Sequence, residues 1–468
     1  MKLKRETWLN LLFVAIVFLV LLFVRLQVNH DVTGDEPHYL VVDYSLVHDQ
    51  DVTLANNYTA GDYKEFYSAP LEGHLSPSKG GDTNIREYSF HGLGLPVIVL
   101  PGFLAGERMG AVIQMVILAT GVVWLVWAWV LQITKNRRVS YLTASLLVCC
   151  YFFNGLAGYL YPNMIIAGIV LASLLIITRY PKEPKFQVLF GALLGILVLV
   201  HFKSLTFAAP LFLIMTYRLW PAHKKLLLWT IAGGAPFVLF YFITLYVWLG
   251  TLNPMATYPP EINVSILTPP IKTIPAMLFD ANRGLLIYNP ITLLLFVGLP
   301  LWFRQHRSSL LIALCATVPS ALLVAMFNQW QGGGAPVGRY IMDFLPVYFP
   351  AVALVLLQAK HHWQKVAVWA LVLATVAVSL VATFERIPYI YPGEYRTRST
   401  FFTHLEDYSG LALDKLLPNY SNQTTLDDRR AWTKLSLGII AVSGATYYGY
   451  ALSKSLKLQR GFKLKVSE

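Results

Sequence analysis

The stretch TWLNLLFVAIVFLVLLFVRLQVNHDVTGDEPHYL, Thr7 to Leu40, runs from an apolar segment straight into two adjacent carboxylates, Asp35 and Glu36. Trp8 to Val28 is long enough to span a hydrocarbon core, which takes about 20 apolar residues. It is too long for a cleavable signal peptide, and no small-residue cleavage site follows, so it is expected to remain as a helix. Carboxylates directly after such a segment have two readings. They sit in an ordinary hydrated loop, or they carry chemistry at a membrane surface.

Composition favours a membrane protein throughout. Of 468 residues, 56% are hydrophobic and 13% charged, with a mean hydropathy of +0.53; soluble domains carry about 25% charged residues. The periodic apolar runs predict an all-α polytopic membrane protein of about twelve transmembrane helices. The net charge of +12 and pI near 9.4 would suggest nucleic acid in a soluble chain. Here the basic residues fall in short clusters between apolar runs, which points to topology and gives no reason to expect nucleic acid. The three cysteines, Cys149, Cys150 and Cys315, all lie in apolar segments. They are expected to be small core residues, not a disulfide or a zinc site.

The clusters alternate. KLKR (2–5), KNRR (135–138), RYPKEPK (179–185), RLWPAHKK (218–225), RQHR (304–307), AKHHWQK (359–365) and KSLKLQRGFKLK (454–465) fall on one side and hold 21 of the 37 Lys and Arg residues. The positive-inside rule makes that side cytoplasmic, with both termini there. The long loops at 29–108, 250–283 and 385–430 then face outside, in a plasma (inner) membrane setting. Long loops concentrate function, so the working face is expected to be external. The expected division is 1–250, carrying the first loop, and 251–468, carrying the other two. Within the first loop, Glu36 to His48 has helical spacing. Pro96 and Pro101 break LGLPVIVLPGFLAG (93–106), which predicts a short helix lying in the interface or dipping into the bilayer.

Asp35 and Glu36 allow a division of labour: one carboxylate takes a proton from an attacking hydroxyl while the other binds substrate or a cation. They also suit a helix start, with Thr33 or Asp35 as N-cap and Pro37 in the first turn. Both readings can hold together. Lys203 in HFKSL, Arg283 in DANRGLL and Arg339 in WQGGGAPVGRY each bring one cation to an external helix end, where an anionic phosphate at headgroup level would be bound. The competing reading for each is snorkelling or pairing with lipid phosphate. His91 in FHGLGLP is a candidate donor to a phosphate or sugar hydroxyl, and His201 beside Lys203 a weaker one. DQD (49–51) matches a short nucleotide-sugar motif but is discounted on the external side. The sequons at Asn57, Asn263, Asn419 and Asn422 are weak triplets. P-loop, GxGxxG and HExxH motifs are absent from the sequence.

Taken together, an acidic pair just after the first transmembrane helix resembles the GT-C glycosyltransferases that use a polyprenyl-phosphate sugar, most closely protein O-mannosyltransferases and lipid A aminoarabinose transferases. Asp35-Glu36-Pro37-His38-Tyr39 is similar to the mannosyltransferase Asp-Glu pair with His and an aromatic behind it. FHGLGLP is similar to that family's late-loop histidine motif, with Gly-Leu where Pro-Pro is common. The resemblance implies a GT-C-like bundle, and an inverting transfer of a hexosyl or pentosyl group from a polyprenyl-phosphate donor to an acceptor hydroxyl, protein, lipid or polysaccharide. It makes Asp35 the general base, with Glu36 beside it, and Lys203, Arg283 and Arg339 the donor-phosphate ligands. His38, Tyr39, His91 and His201 would line the substrate. No metal is required, although Glu36, His38 and His91 could hold a divalent cation. A transporter or flippase of a lipid-linked sugar is the alternative; it calls for charges buried in mid-helix, of which Asp343 is the main example. A non-catalytic scaffold is the third reading.

Overall fold

A computed structural model describes residues 2–28, 32–77, 86–258, 270–327, 330, 332, 335–384, 400–410 and 417. The first segment folds as α1 (Lys2–Val28), with Trp8, Leu12, Leu19 and Phe23 exposed as on a lipid-facing surface. The first loop carries α2 (Glu36–His48) and α3 (Ala55–Ala60). Two short strands follow, β1 (Leu75–Pro77) and β2 (Arg86–Ser89), paired antiparallel with Ser76 opposite Tyr88. The helix expected from Glu36 to His48 is therefore present with those bounds.

The kinked segment 93–106 is also present as a separate piece. It opens α4 (Gly94–Thr134), which leaves helical geometry at Gly106 and Glu107. The chain doubles back there. The Gln114 amide donates to the Ile98 carbonyl at 2.5 Å and accepts from the Gly102 backbone N–H at 2.6 Å. In a straight helix residues 12 apart would lie about 18 Å apart. Gly102 and Gly110 face each other so closely that a Cβ on Gly102 would meet the Gly110 carbonyl.

The bundle continues through α5 (Arg137–Val148), α6 (Tyr151–Asn154), α7 (Pro162–Arg179), α8 (Pro184–Val200), α9 (Leu205–Leu219) and α10 (Leu226–Leu249). It then runs through α11 (Pro270–Phe279), α12 (Leu285–Tyr288), α13 (Leu294–Met326), α14 (Phe349–Gln358), α15 (His362–Phe384) and α16 (Thr400–Ser409). α4 packs on α5 and α7, α8 on α10, and α13 on α9 and α14. The α8–α10 contact is a backbone contact: a Cβ at Gly191 would run into the Thr230 carbonyl, and one at Gly233 into that of Val188. Without a hydrophobic drive between helices in lipid, such small residues allow close van der Waals packing.

Six helices among the described residues are long and apolar enough to cross a membrane, and two more apolar helices are shorter. The chain is an integral membrane protein. These described helices do not by themselves confirm the expected count of twelve. The segment expected near residue 149 is split into the short α5 and α6, and that near 349 gives the ten-residue α14. The segments expected near 294 and 318 join in α13, which kinks at His306, inside the RQHR cluster where a turn was expected. The helix expected near 442 lies outside the described residues, as do 259–269, 385–399, 411–416 and 418–430 of the two later loops. Irregular backbone at membrane depth needs internal partners, and it has them. Asn289 Oδ1 accepts from the Phe152 N–H at 3.1 Å, while Asn154 donates to the Val148 carbonyl and to Ser379 Oγ.

Two features of the first loop are closed structural contacts. Asn57 is fully buried and donates to Asp49 and Asp62 at 2.6 and 2.9 Å, so this sequon offers no accessible amide. Asp51 accepts from Ser45 Oγ and the Thr53 N–H, which accounts for the DQD triplet.

Asp43 on α2 differs. It is fully buried, and neither carboxylate oxygen has a hydrogen-bond partner among the described residues. Burial pushes its pKa up to about 9, against about 3.9 in an unfolded chain. Between those values the folded state holds a proton that the unfolded state has lost. Stability is therefore full below the unfolded pKa and falls as pH rises toward the folded one. We expect the thermal midpoint of the wild type to drop from pH 5 to pH 8 relative to Asp43→Asn, measured in one detergent. Parallel pH dependences would refute a protonated Asp43.

Candidate active site

The turn before α2 aims Asp35. Tyr161 donates its hydroxyl to the Thr33 carbonyl at 2.7 Å, and the Glu36 N–H closes back on the same carbonyl at 3.2 Å. Asp35 occupies the N-cap position of α2, but its side chain makes no capping bond. Its carboxylate accepts instead from the Arg339 guanidinium, 304 residues away. Asp35 starts the helix by position, and its side chain is committed to the tertiary partner.

Arg339 is buried, with Tyr161 at 4.1 Å and Tyr340 at 5.5 Å from its guanidinium carbon, and it also donates to the Gly332 carbonyl. Lys203 also approaches Tyr340, its Nζ 4.8 Å from that ring. Its ammonium pairs with the buried Asp343 at 3.2 Å. Asn163 donates to the second oxygen of Asp343 at 2.6 Å. Lys203 sits in a 3₁₀ turn, Phe202–Ser204, whose N-cap is His201; the imidazole Nδ1 accepts from the Lys203 N–H. Two cations, each paired with a carboxylate, thus approach one tyrosine.

Arg283 has its own set of described contacts. It is buried, its N–H is capped by Asp280, and its guanidinium donates to the Ala335 carbonyl at 3.0 Å, on the chain leading to Arg339. The contacts described for it do not bring it to Asp35.

Glu36 points away from Asp35. It is fully buried between Arg25 of α1, at 3.4 Å, and Arg108 of α4, at 3.2 Å. Arg25 in turn lies 3.8 Å over the Tyr159 ring. The carboxylate ties the start of α2 to the first two apolar helices.

Three histidines close the other side of Asp35. His74 and His91 flank the two strands: Leu75 pairs with Ser89, and the Phe90 N–H donates to the His74 carbonyl, so the hairpin brings the rings together. His74 Nδ1 lies 2.8 Å from His91 Nε2. The His38 ring stacks on His74 at 3.5 Å, and its Nδ1 is 2.8 Å from the Tyr58 hydroxyl. Tyr39 is buried against His91.

Burial works to raise the Asp35 pKa, but Arg339 above all, then His91 and His74, hold the carboxyl well below the usual range. Burial pushes His91 down to about 4 and lowers His38 and His74 as well, with Asp35 pulling each the other way. Burial and Lys203 lower His201. At neutral pH the site therefore holds an ionised carboxylate facing neutral imidazoles. Asp35, His74 and His91 each place one ligand atom within 4.8 Å of the others. That N,N,O set would suit a zinc-like ion with an open position. The expected ligand set Glu36, His38 and His91 does not form, because Glu36 is held by the two arginines and His38 by Tyr58.

Three solved structures resemble the fold as a whole. The protein is similar to the crystal structure of ArnT from Cupriavidus metallidurans bound to undecaprenyl phosphate, with a TM-score of 0.51, 13% identity, and coverage of 96% of this chain and 79% of that one. The chain shares the fold of ArnT. ArnT in the apo state matches at a TM-score of 0.47 and 16% identity, over 82% of this chain and 76% of that one. The archaeal oligosaccharyltransferase AglB from Archaeoglobus fulgidus, in complex with an inhibitory peptide and a dolichol-phosphate, gives 0.48 and 12%, over 81% and 56%. No protein-family model and no curated protein matches the chain. The sequence had pointed to Asp35 and Arg339, which pair, and to Lys203, which approaches the same Tyr340 ring as Arg339. It had not pointed to His74, Tyr161, Asn163, Arg25 or Arg108. Only His74 carried a local signal, as a histidine in the same loop as His91.

Proposed function

We propose that the protein is a membrane glycosyltransferase that moves a hexosyl or pentosyl group from a polyprenyl-phosphate donor to an acceptor hydroxyl on the extracytoplasmic face, with inversion. The observation that carries this reading is the convergence of Asp35 with Arg339, and of Lys203 beside them, from three distant parts of the chain. The GT-C fold supports it, as does the undecaprenyl phosphate bound to ArnT. An apolar groove of about 480 Å³, lined by Leu194, Val198, Leu205, Phe212 and Val238, lies between α8, α9 and α10 beside the Lys203 turn. It suits a polyprenyl chain.

In this mechanism the acceptor hydroxyl attacks the anomeric carbon, and Asp35 takes its proton. The bond from that carbon to the phosphate oxygen breaks, and charge grows on the leaving phosphate. Arg339 and Lys203 stabilise that charge more in the transition state than in the ground state. Asp35 alone, paired with Arg339, is a weak base, since an effective base has a pKa near the working pH. Donor phosphate that draws on Arg339 would free the carboxylate and raise its proton affinity. Tyr39, His38, His91 and His201 shape the surrounding wall; Arg283 supports the Ala335 segment that leads to Arg339.

Purified protein in nanodiscs should release free polyprenyl phosphate from a polyprenyl-phosphate sugar when an acceptor is present. We expect this release to persist in EDTA. A divalent cation acts at Asp35, His74 and His91 if EDTA abolishes release and added metal restores it. No release with any polyprenyl-phosphate hexose or pentose, alongside flip of the intact donor across the bilayer, would sink the transferase reading.

A further inference from the structure

Two cations flank the proposed phosphate position, and each is already opposed by a carboxylate. The two carboxylates are not equivalent. Asp35 is part-exposed, with 23% of its side chain accessible, and stands where the acceptor proton goes. Asp343 is fully buried and tied on its second oxygen to Asn163 at 2.6 Å, so it does not swing away from Lys203. Burial raises the Asp343 pKa, while Lys203 and Asn163 restrain the rise.

The charge balance of the transfer separates their roles. The donor is a phosphodiester with one negative charge. When the anomeric C–O bond breaks, the electron pair stays on the phosphate oxygen, and the product is a phosphomonoester with a second charge. The acceptor proton moves to Asp35, which becomes neutral. Arg339 therefore loses its internal counter-ion as the product gains a charge. Lys203 keeps its counter-ion.

We propose that Asp343 is a positioning and specificity residue that keeps Lys203 compensated throughout turnover, so that the site prefers the monoanionic lipid phosphodiester and lets the dianionic lipid phosphomonoester go. This rests on the reading of the site as a lipid-phosphate site. With Asp343 neutral, the pocket would carry one further positive charge, and the product's second charge would be held. Unit charges a few ångströms apart near a protein surface interact by enough to change affinity roughly tenfold or more after screening.

The test is equilibrium binding of a short polyprenyl monophosphate and of its methyl phosphodiester to wild-type protein, Asp343→Asn and the double variant Lys203→Gln/Asp343→Asn in nanodiscs. The ratio of monoester to diester affinity is read for each. Asp343→Asn should raise the ratio roughly tenfold, and the double variant, neutral again at this pair, should bring it back. The Asn side chain keeps the shape of Asp, and the double variant also covers a fold that does not tolerate an unpaired Lys203. An unchanged ratio in Asp343→Asn, or a raised ratio that persists in the double variant, would overturn the assignment. Wild-type protein that binds neither probe would overturn the lipid-phosphate site itself, and this inference with it.

Discussion

Replacing Asp35 with Asn should lower sugar transfer by roughly 10²- to 10⁴-fold, the usual size of a general-base contribution. Asn keeps the shape of the side chain and a carbonyl oxygen for Arg339, so the fold should survive. The removed carboxylate also leaves Arg339 without its ionic partner. Donor binding should hold or tighten while kcat collapses. That split separates a base from a scaffold: a structural role for Asp35 would move stability and donor affinity together. Turnover near the wild-type rate in Asp35→Asn would remove Asp35 from the chemistry and leave the histidines as the candidates.

The second large effect belongs to Glu36, and it should appear in stability. Glu36→Ala leaves Arg25 and Arg108 facing each other without the carboxylate between them, with Arg25 buried. Breaking a buried ion pair by removing one partner costs about 3–5 kcal/mol. We expect Glu36→Ala to lower the thermal midpoint sharply in detergent and to lower the yield of folded protein. Glu36→Gln, which retains two hydrogen-bonding atoms, should be milder. The remaining folded Glu36→Gln should keep a measurable rate, because the side chain faces away from Asp35. A stable Glu36→Gln protein with transfer as low as Asp35→Asn would make Glu36 part of the chemistry after all.

How much of this was legible in the chain depends on distance along it. α2 was legible because Leu40, Val41, Tyr44 and Val47 repeat with helical spacing behind Pro37. The piece at 94–105 was legible because two prolines interrupt an apolar run too short to span. The span count was not, because hydropathy cannot tell a membrane-crossing helix from a short apolar helix such as α6 or α14 packed inside the bundle. At the site, Asp35, Lys203 and Arg339 were found separately, each as a charge beside an apolar run. Their meeting is tertiary. His74 joins His91 only because β1 and β2 pair, and strands of three and four residues leave almost no periodic signal. Asp343 read as the main mid-helix charge that a transporter would call for; its partners Lys203 and Asn163 are not close to it in sequence. Glu36 read as a partner of Asp35 because they are neighbours, yet successive residues at a helix start project in different directions.

The separation of 304 residues between Asp35 and Arg339 has a consequence for how the protein is made. Asp35 leaves the ribosome early, with the first apolar helix. Its guanidinium partner follows only after most of the spans have been inserted. The Glu36 clamp can close once residue 108 has emerged, so the loop is anchored long before Asp35 is balanced. The Asp35–Arg339 pair is therefore one of the last long-range contacts that the emerging chain can make.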